Sequence, residues 1–432
     1  MKRRDFIKAA GCVAANAWAQ DLPGNRAQSG SRRKPNIIFI LADELGIGNV
    51  SCYGADNFKT PNIDQLAREG ARYTHCYTAP LCGPSAALIL TGRYAFRTGA
   101  TNQDATGLME PSVETMMPMY LKPAGYVTAA VGKWGQLPLG PAEFGFDEHL
   151  KLTGRGVHGN AQDPKEYPPD AMHGFLVDFI ARHRADPFYV YYSMSNLQKE
   201  ILPTPDSKPD STDLYTDNIR YLDKLVGKLV AELERLKLRD RTLIVFAGDH
   251  GTGGVYADES TIGGRRLAGE KGSMLEGGAL VPMIVNWLGT TPARRVFADL
   301  VDSTDFVPTF AELAGAKLPQ NKVFDGHSFA PQVLGRQAKQ RDWIFIELGK
   351  AWYVREAGWK LNQAGRLFDM SNSPFEEPFV PADTQDPAAT AARKRLQAAL
   401  DKLNPASGIM DEGDGAGRHA GRLVHTKKKP SQ

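Results

Sequence analysis

Between residues 35 and 285 the chain repeatedly gathers short apolar runs that stop abruptly at charged or glycine-rich turns. Asn36-Ile37-Ile38-Phe39-Ile40-Leu41-Ala42 is almost wholly apolar, which predicts a strand buried on both faces, and it ends at Asp43-Glu44-Leu45-Gly46. Val127 to Lys133 reads as a short strand ending in a lysine. Phe188-Tyr189-Val190-Tyr191-Tyr192 reads as another, leading into Asn196-Leu197-Gln198-Lys199. Leu243-Ile244-Val245-Phe246-Ala247-Gly248 is a further buried strand, followed at once by Asp249-His250-Gly251. Lys271 and Glu276-Gly277-Gly278 precede a last such run, Val281 to Val285. Helical periods alternate with these strands. Thr60 stands at an N-cap with Pro61 at the first helical position, and Gly70 closes that helix. Ile219, Leu222, Val226, Leu229, Leu233 and Leu236 mark a long amphipathic helix whose stripe is core. The fold class is α/β.

From about Arg341 the pattern changes. Short strands (Trp343 to Glu347, Ala351 to Arg355) alternate with turns, and a helix is expected from about Pro387 to Leu403. The chain therefore divides into a main α/β domain over 35–340 and a smaller C-terminal α+β domain over 341–405, with no internal repeats. The ends read differently. Lys2-Arg3-Arg4-Asp5-Phe6-Ile7-Lys8 matches a twin-arginine export signal and Ala17-Trp18-Ala19 a cleavage site, so 1–19 is expected to be a leader. A periplasmic or extracellular location follows. Residues 20–34, rich in Gly, Ser, Gln and Arg, read as a linker, and 406–432 as a disordered basic tail.

Composition narrows the function. The 432 residues are 42% hydrophobic and 23% charged, a globular balance, and the net charge of +3 gives nucleic acid nothing to recognise. No apolar run is long enough to span a bilayer. Of four cysteines Cys12 lies in the leader, so Cys52, Cys76 and Cys82 remain; an odd count is no disulfide framework.

The candidate chemistry gathers at the ends of the apolar runs. Acidic residues at the C-terminal ends of two buried strands, Asp43 with Glu44 and Asp249 with His250, stand where open α/β sheets bind ligands, and carboxylates suit Ca²⁺ or Mg²⁺. Helix capping is the competing use for Asp43. In Thr78-Ala79-Pro80-Leu81-Cys82-Gly83-Pro84-Ser85-Ala86, Gly-Pro makes a tight turn and Ser85 can cap the apolar helix that follows. A side chain at that elbow meets the positive end of a helix, which favours an anion or a thiolate, although a buried structural cysteine fits the same pattern.

The same stretch resembles the sulfatase signature, Cys-x-Pro-Ser-Arg followed by an apolar run and Thr-Gly-Arg. Cys82, Pro84, Ser85, Thr91, Gly92 and Arg93 fall in register, with Ala86 where the signature has its first Arg. Pro35 to Asp43, Thr60 to Asp64, Gly132-Lys133-Trp134, Asp249-His250-Gly251, and Lys271 with Glu276-Gly277-Gly278 follow the order found in sulfatases of the alkaline-phosphatase-like superfamily, over roughly 35–405. The resemblance implies a large mixed, mostly parallel sheet sandwiched by helices, with a smaller C-terminal domain. It implies conversion of Cys82 to formylglycine by a formylglycine-generating enzyme. It also implies one divalent cation, Ca²⁺ or Mg²⁺, at Asp43, Glu44, Asp249 and His250, and Lys133 and Lys271 holding the sulfate. Gln198 takes a substrate-binding position.

Departures cluster in the same site. Glu44 replaces an Asp, Gly135 a His after Lys-Trp, Asn196 and Gln198 stand where the family carries His, and Leu280 replaces an Arg. Neither Gly nor Gln moves a proton near neutral pH, whereas His does. Three functions stay open: an exported sulfatase acting on a sulfated carbohydrate or aryl ester, a degenerate sulfatase that binds a sulfated ligand through cation and lysines, and a metal-dependent phosphatase. The last would want Ser or Thr at the elbow.

Overall fold

The computed structural model describes residues 34–152, 167–198 and 201–406. The expected leader, the linker up to residue 33 and the tail from 407 lie outside the described residues.

Eight strands build the main sheet: β1 Asn36–Ala42, β2 Ala71–Tyr77, β3 Val127–Lys133, β4 Glu148–Leu152, β5 Phe188–Met194, β6 Thr242–Gly248, β7 Leu280–Trp287 and β8 Arg295–Asp302. Their spatial order is β8-β2-β7-β6-β1-β5-β3-β4. All neighbouring pairs are parallel except those of β7, which runs antiparallel to β2 and β6. The central strands are buried along their whole length, so the near-continuous apolar runs of β1 and β6 divide by parity between two faces. Ile37, Phe39 and Leu41 pack with Leu243, Val245 and helices α2 (Cys82–Thr91) and α5 (Phe306–Ala314). Ile38 and Ile40 pack on the other face with Ile244, Phe246 and helices α1 (Pro61–Glu69), α3 (Pro168–Arg182) and α4 (Leu214–Arg235).

The second sheet is antiparallel: β9 Ile344–Leu348, β10 Ala351–Arg355, β11 Trp359–Asn362, β12 Leu367–Asp369 and β13 Phe379–Val380, in sequence order. Helix α6, Pro387–Leu403, lies against it, with Asp386 accepting at its N-cap from the Ala388 N–H and Asn404 ending it in the left-handed region. Phe345, Val354, Leu361, Leu396 and Leu400 share one core with Leu88, Tyr94 and Phe96, so the small sheet is fixed to the segment that begins at Cys82.

One local expectation fails. Ser85 does not cap α2, because the helix already starts at Cys82, with Leu81 at the N-cap. Pro84 then occupies the first turn, where a missing N–H is no loss, and Gly-Pro continues into the helix instead of turning before it. The Ser85 hydroxyl is buried against Thr78 Oγ1 at 2.6 Å.

Candidate active site

Strand register brings the two acidic signals together. β1 and β6 run parallel with Ala42 opposite Gly248, so Asp43 and Asp249 leave the sheet side by side. The Asp249 N–H donates to the Ala42 carbonyl (3.1 Å), the Asp43 N–H to the Met194 carbonyl (3.0 Å), and the Glu44 N–H to Asp249 Oδ1 (3.0 Å). Lys133 reaches across from the end of β3 and places Nζ 2.6 Å from both Asp43 oxygens. These groups occupy the C-terminal ends of parallel strands, where such sheets hold ligands.

Cys82 enters from the first residue of α2. Its Sγ, an Asp249 carboxylate oxygen and a His250 ring nitrogen all lie within 4.8 Å of one another, and all three residues are buried. Gln103, which no motif or period singles out, joins the thiol to its own helix. The Gly83 N–H donates to Gln103 Oε1 (2.6 Å), and Gln103 Nε2 donates to Cys82 Sγ (3.0 Å). Because only the oxygen can accept from the Gly83 amide, the orientation of the Gln103 side chain is fixed. Replacing Gln103 by Leu is expected to slow alkylation of Cys82 at neutral pH, since the thiolate loses a donor. Leaving the Gly83 N–H unpaired should cost about 1–3 kcal/mol in denaturant unfolding. Unchanged alkylation would show that Gln103 does not tune the thiol.

The glycine-rich motifs meet each other. The Gly251 N–H donates to the Gly278 carbonyl (3.0 Å), and a Cβ on Gly251 would collide with the Gly277 carbonyl oxygen. The segment after β6 therefore lies flat on Glu276-Gly277-Gly278, and this close approach excludes any side chain. Glu276 itself points away from the centre. It is fully buried, with Oε1 3.2 Å from Arg355 Nε of the small sheet, and it accepts from Tyr77 (2.8 Å) and Ser373 (2.6 Å). Lys271 forms an ion pair with Glu44, so Glu44 turns towards that lysine; its backbone is left-handed, φ 60°.

Charges in the site settle as opposed pairs. Burial works against ionising Asp43, but Lys133 and then His250 outweigh it and hold the carboxyl at about 2. Burial, and next the Asp43 charge, push Asp249 well above the usual carboxylate range. Burial opposes the Cys82 thiolate, yet the adjacent His250 and Lys133 bring the thiol below its ordinary value. Burial disfavours the Lys133 and Lys271 ammonium groups, and the carboxylates of Asp43 and Glu44 respectively more than restore them.

A divalent cation fits these residues. His250 is fully buried with Nε2 3.4 Å from Asp249 Oδ2 and 3.8 Å from Asp43 Oδ1, and no hydrogen bond satisfies that nitrogen. A buried orphan nitrogen facing two carboxylates is a ligand set awaiting positive charge. Asp43, Asp249 and His250 thus lie together, whereas Glu44 is engaged by Lys271. Of the other singled-out positions, Asn196 is buried beside Tyr167, whose hydroxyl accepts from its Nδ2 (3.3 Å). Gln198 is half-buried on the turn after β5, its N–H donating to Ser195. Leu280 opens β7 and is buried against the small sheet, and Ala86 is buried in α2. At Gly135 the backbone is left-handed (φ 69°), and a Cβ there would meet nothing within 4 Å among the described residues.

Comparison with known proteins bears on the family and the fold. The family model for sulfatases matches residues 35–316. Arylsulfatase D of Homo sapiens is 30% identical over 76% of this chain and 74% of its own length. N-acetylgalactosamine-6-sulfatase of Canis lupus familiaris is 32% identical over 76% of this chain and 72% of its own. Among solved structures, that of Ps i-CgsB in complex with k-i-k-neocarrahexaose superposes with a TM-score of 0.75 at 27% identity, covering 86% of this chain and 93% of the other.

Proposed function

The chain belongs to the sulfatase family, whose members hydrolyse sulfate esters, and on that footing we propose that it acts on a sulfated saccharide outside the cytoplasm. The observation that carries the proposal is the buried meeting of Cys82, Asp43, Asp249, His250 and Lys133 at the strand ends. The saccharide class is supported by the carrageenan-type hexaose bound in Ps i-CgsB and by the aminosugar substrate in the name of the canine relative. The twin-arginine pattern supports export.

In this proposal a formylglycine-generating enzyme converts Cys82, and the new group stands at the positive end of α2, held by Gln103. Asp43, Asp249 and His250 hold one Ca²⁺ or Mg²⁺, which supplies Lewis-acid stabilisation of charge growing on the sulfate. Lys133 and Lys271 are the cations nearest to meet the sulfate oxygens, releasing Asp43 and Glu44 as they do so. Gln198 would lie at the substrate mouth. The mass of the tryptic peptide containing Cys82, taken from protein made with the generating enzyme, tests the first step. An aldehyde or its hydrate together with turnover of a chromogenic sulfate ester supports hydrolysis; an unmodified thiol argues against it.

One observation favours a second reading, in which the protein binds a sulfate ester through cation and lysines without turning it over. Gly135, Asn196 and Gln198 stand where the family places proton-transfer groups, and among the described residues nothing lies within 4 Å of a Cβ at Gly135. If proton transfer is what is missing, Gly135→His should raise turnover of a chromogenic sulfate ester by about 10²- to 10⁴-fold. The left-handed backbone there costs roughly 1–2 kcal/mol for a residue with a Cβ. No gain in turnover would locate the defect elsewhere, with Ala86 the next position to restore.

A further inference from the structure

As encoded, residue 82 is a thiol, and it stands among donors that suit a softer cation than calcium. His250 Nδ1 lies 2.9 Å from the Gly251 carbonyl, which can only accept, so Nδ1 carries a ring hydrogen and Nε2 is the nitrogen that the neutral ring offers to a cation. That nitrogen is fully buried and unsatisfied, and it looks onto the Asp249 and Asp43 carboxylates. Cys82 Sγ completes the group within 4.8 Å. Sulfur, imidazole nitrogen and a carboxylate oxygen form a mixed set, whereas calcium takes about six to eight oxygens. Oxygens are scarce here, since Lys271 engages Glu44 and Lys133 engages Asp43.

We propose that the protein in its thiol form binds one zinc-type divalent cation through Cys82, Asp249 and His250, in preference to Ca²⁺. Binding releases the thiol proton and the proton that burial keeps on Asp249 to solvent, and leaves a fourth position open, as in tetrahedral sites with three protein ligands. Zinc bonds of about 2.0–2.3 Å separate tetrahedral ligands by roughly 3.3–3.8 Å. His250 and Asp249 already meet that spacing, 3.4 Å apart, so only the Cys82 side chain must close further. Sulfate-ester turnover plays no part in this inference. Conversion of Cys82 removes the sulfur and returns the site to oxygen donors, so the preferred metal reports the state of residue 82.

Full-length protein made without a formylglycine-generating enzyme, with the Cys82 thiol verified by peptide mass, would be stripped of metal and titrated with Co²⁺. The expected result is a near-ultraviolet sulfur-to-cobalt charge-transfer band that saturates at one equivalent, is abolished by Zn²⁺ and survives a large molar excess of Ca²⁺. Cys82→Ser should lose the band although Cys52 and Cys76 remain, and Asp249→Asn should weaken Co²⁺ binding in a protein that keeps its shape. Cobalt bound without the band, a band that persists in Cys82→Ser, or displacement by comparable Ca²⁺ would each overturn the proposal. A failed turnover assay would leave it standing.

Discussion

Replacing Asp249 by alanine is expected to strip the divalent cation from the protein and to reduce any sulfate-ester turnover by about 10³-fold or more, since metal stabilisation of transition-state charge is worth several kcal/mol. Asp249, with His250, links Cys82 to the Asp43 side of the site. Its carboxylate faces Cys82 and His250, and Oδ1 also accepts from the Glu44 N–H. Elemental analysis of the purified variant is the primary measurement, and Asp249→Asn is its control for folding. Burial and the Asp43 charge already favour the uncharged form of this carboxyl, so the neutral amide should be tolerated by the fold while holding the cation more weakly, a carbonyl oxygen replacing a charged one. Metal content equal to the parent protein in both variants would move the cation site elsewhere.

Glu276→Ala is expected to lower stability by about 3–5 kcal/mol without touching the chemistry directly, because it leaves the Arg355 charge buried and unopposed. Arg355 is fully buried, its guanidinium also sits over the Tyr77 ring at 4.9 Å, and it belongs to the small sheet. Loss of Glu276 also takes away the acceptor of the Tyr77 and Ser373 hydroxyls. Against a typical total of roughly 5–15 kcal/mol, that loss should appear as a large fall in the denaturant midpoint. A shift under about 0.5 kcal/mol, the range of ordinary surface substitutions, would mean that the pair is solvated and dispensable.

Much of the scaffold was legible because burial on both faces leaves a plain mark. β3 begins and ends at Val127 and Lys133 as its composition suggests, and α6 runs from Pro387 to Leu403 as its proline start implies. The ends of β5 and β7 extend beyond the expected runs, since polar Ser193 and Asn286 interrupt the apolar pattern before Met194 and Trp287 continue the ladder. Asp43, Lys133, Cys82, Asp249 and His250 were legible because each stands where a run ends. Gln103 was not, being a polar residue of a short helical turn whose sequence shows no period. Glu276 was legible as part of a motif but not as the link to the small sheet.

By itself, then, the sequence determined which segments are strands, which ends carry charge, and which family those ends match. Tertiary structure decided the partnerships. Parallel register set Asp43 beside Asp249; helix α2 brought Cys82 to His250; Lys271 drew Glu44 away; Gly251 could lie on Gly277 only because Gly251 has no side chain. The physical reason is range. Hydrophobic period and capping act over a few neighbouring residues, whereas a charge pair or an orphan nitrogen is defined by groups up to about two hundred positions apart, as Asp43 and Asp249 are, which meet only when the sheet closes.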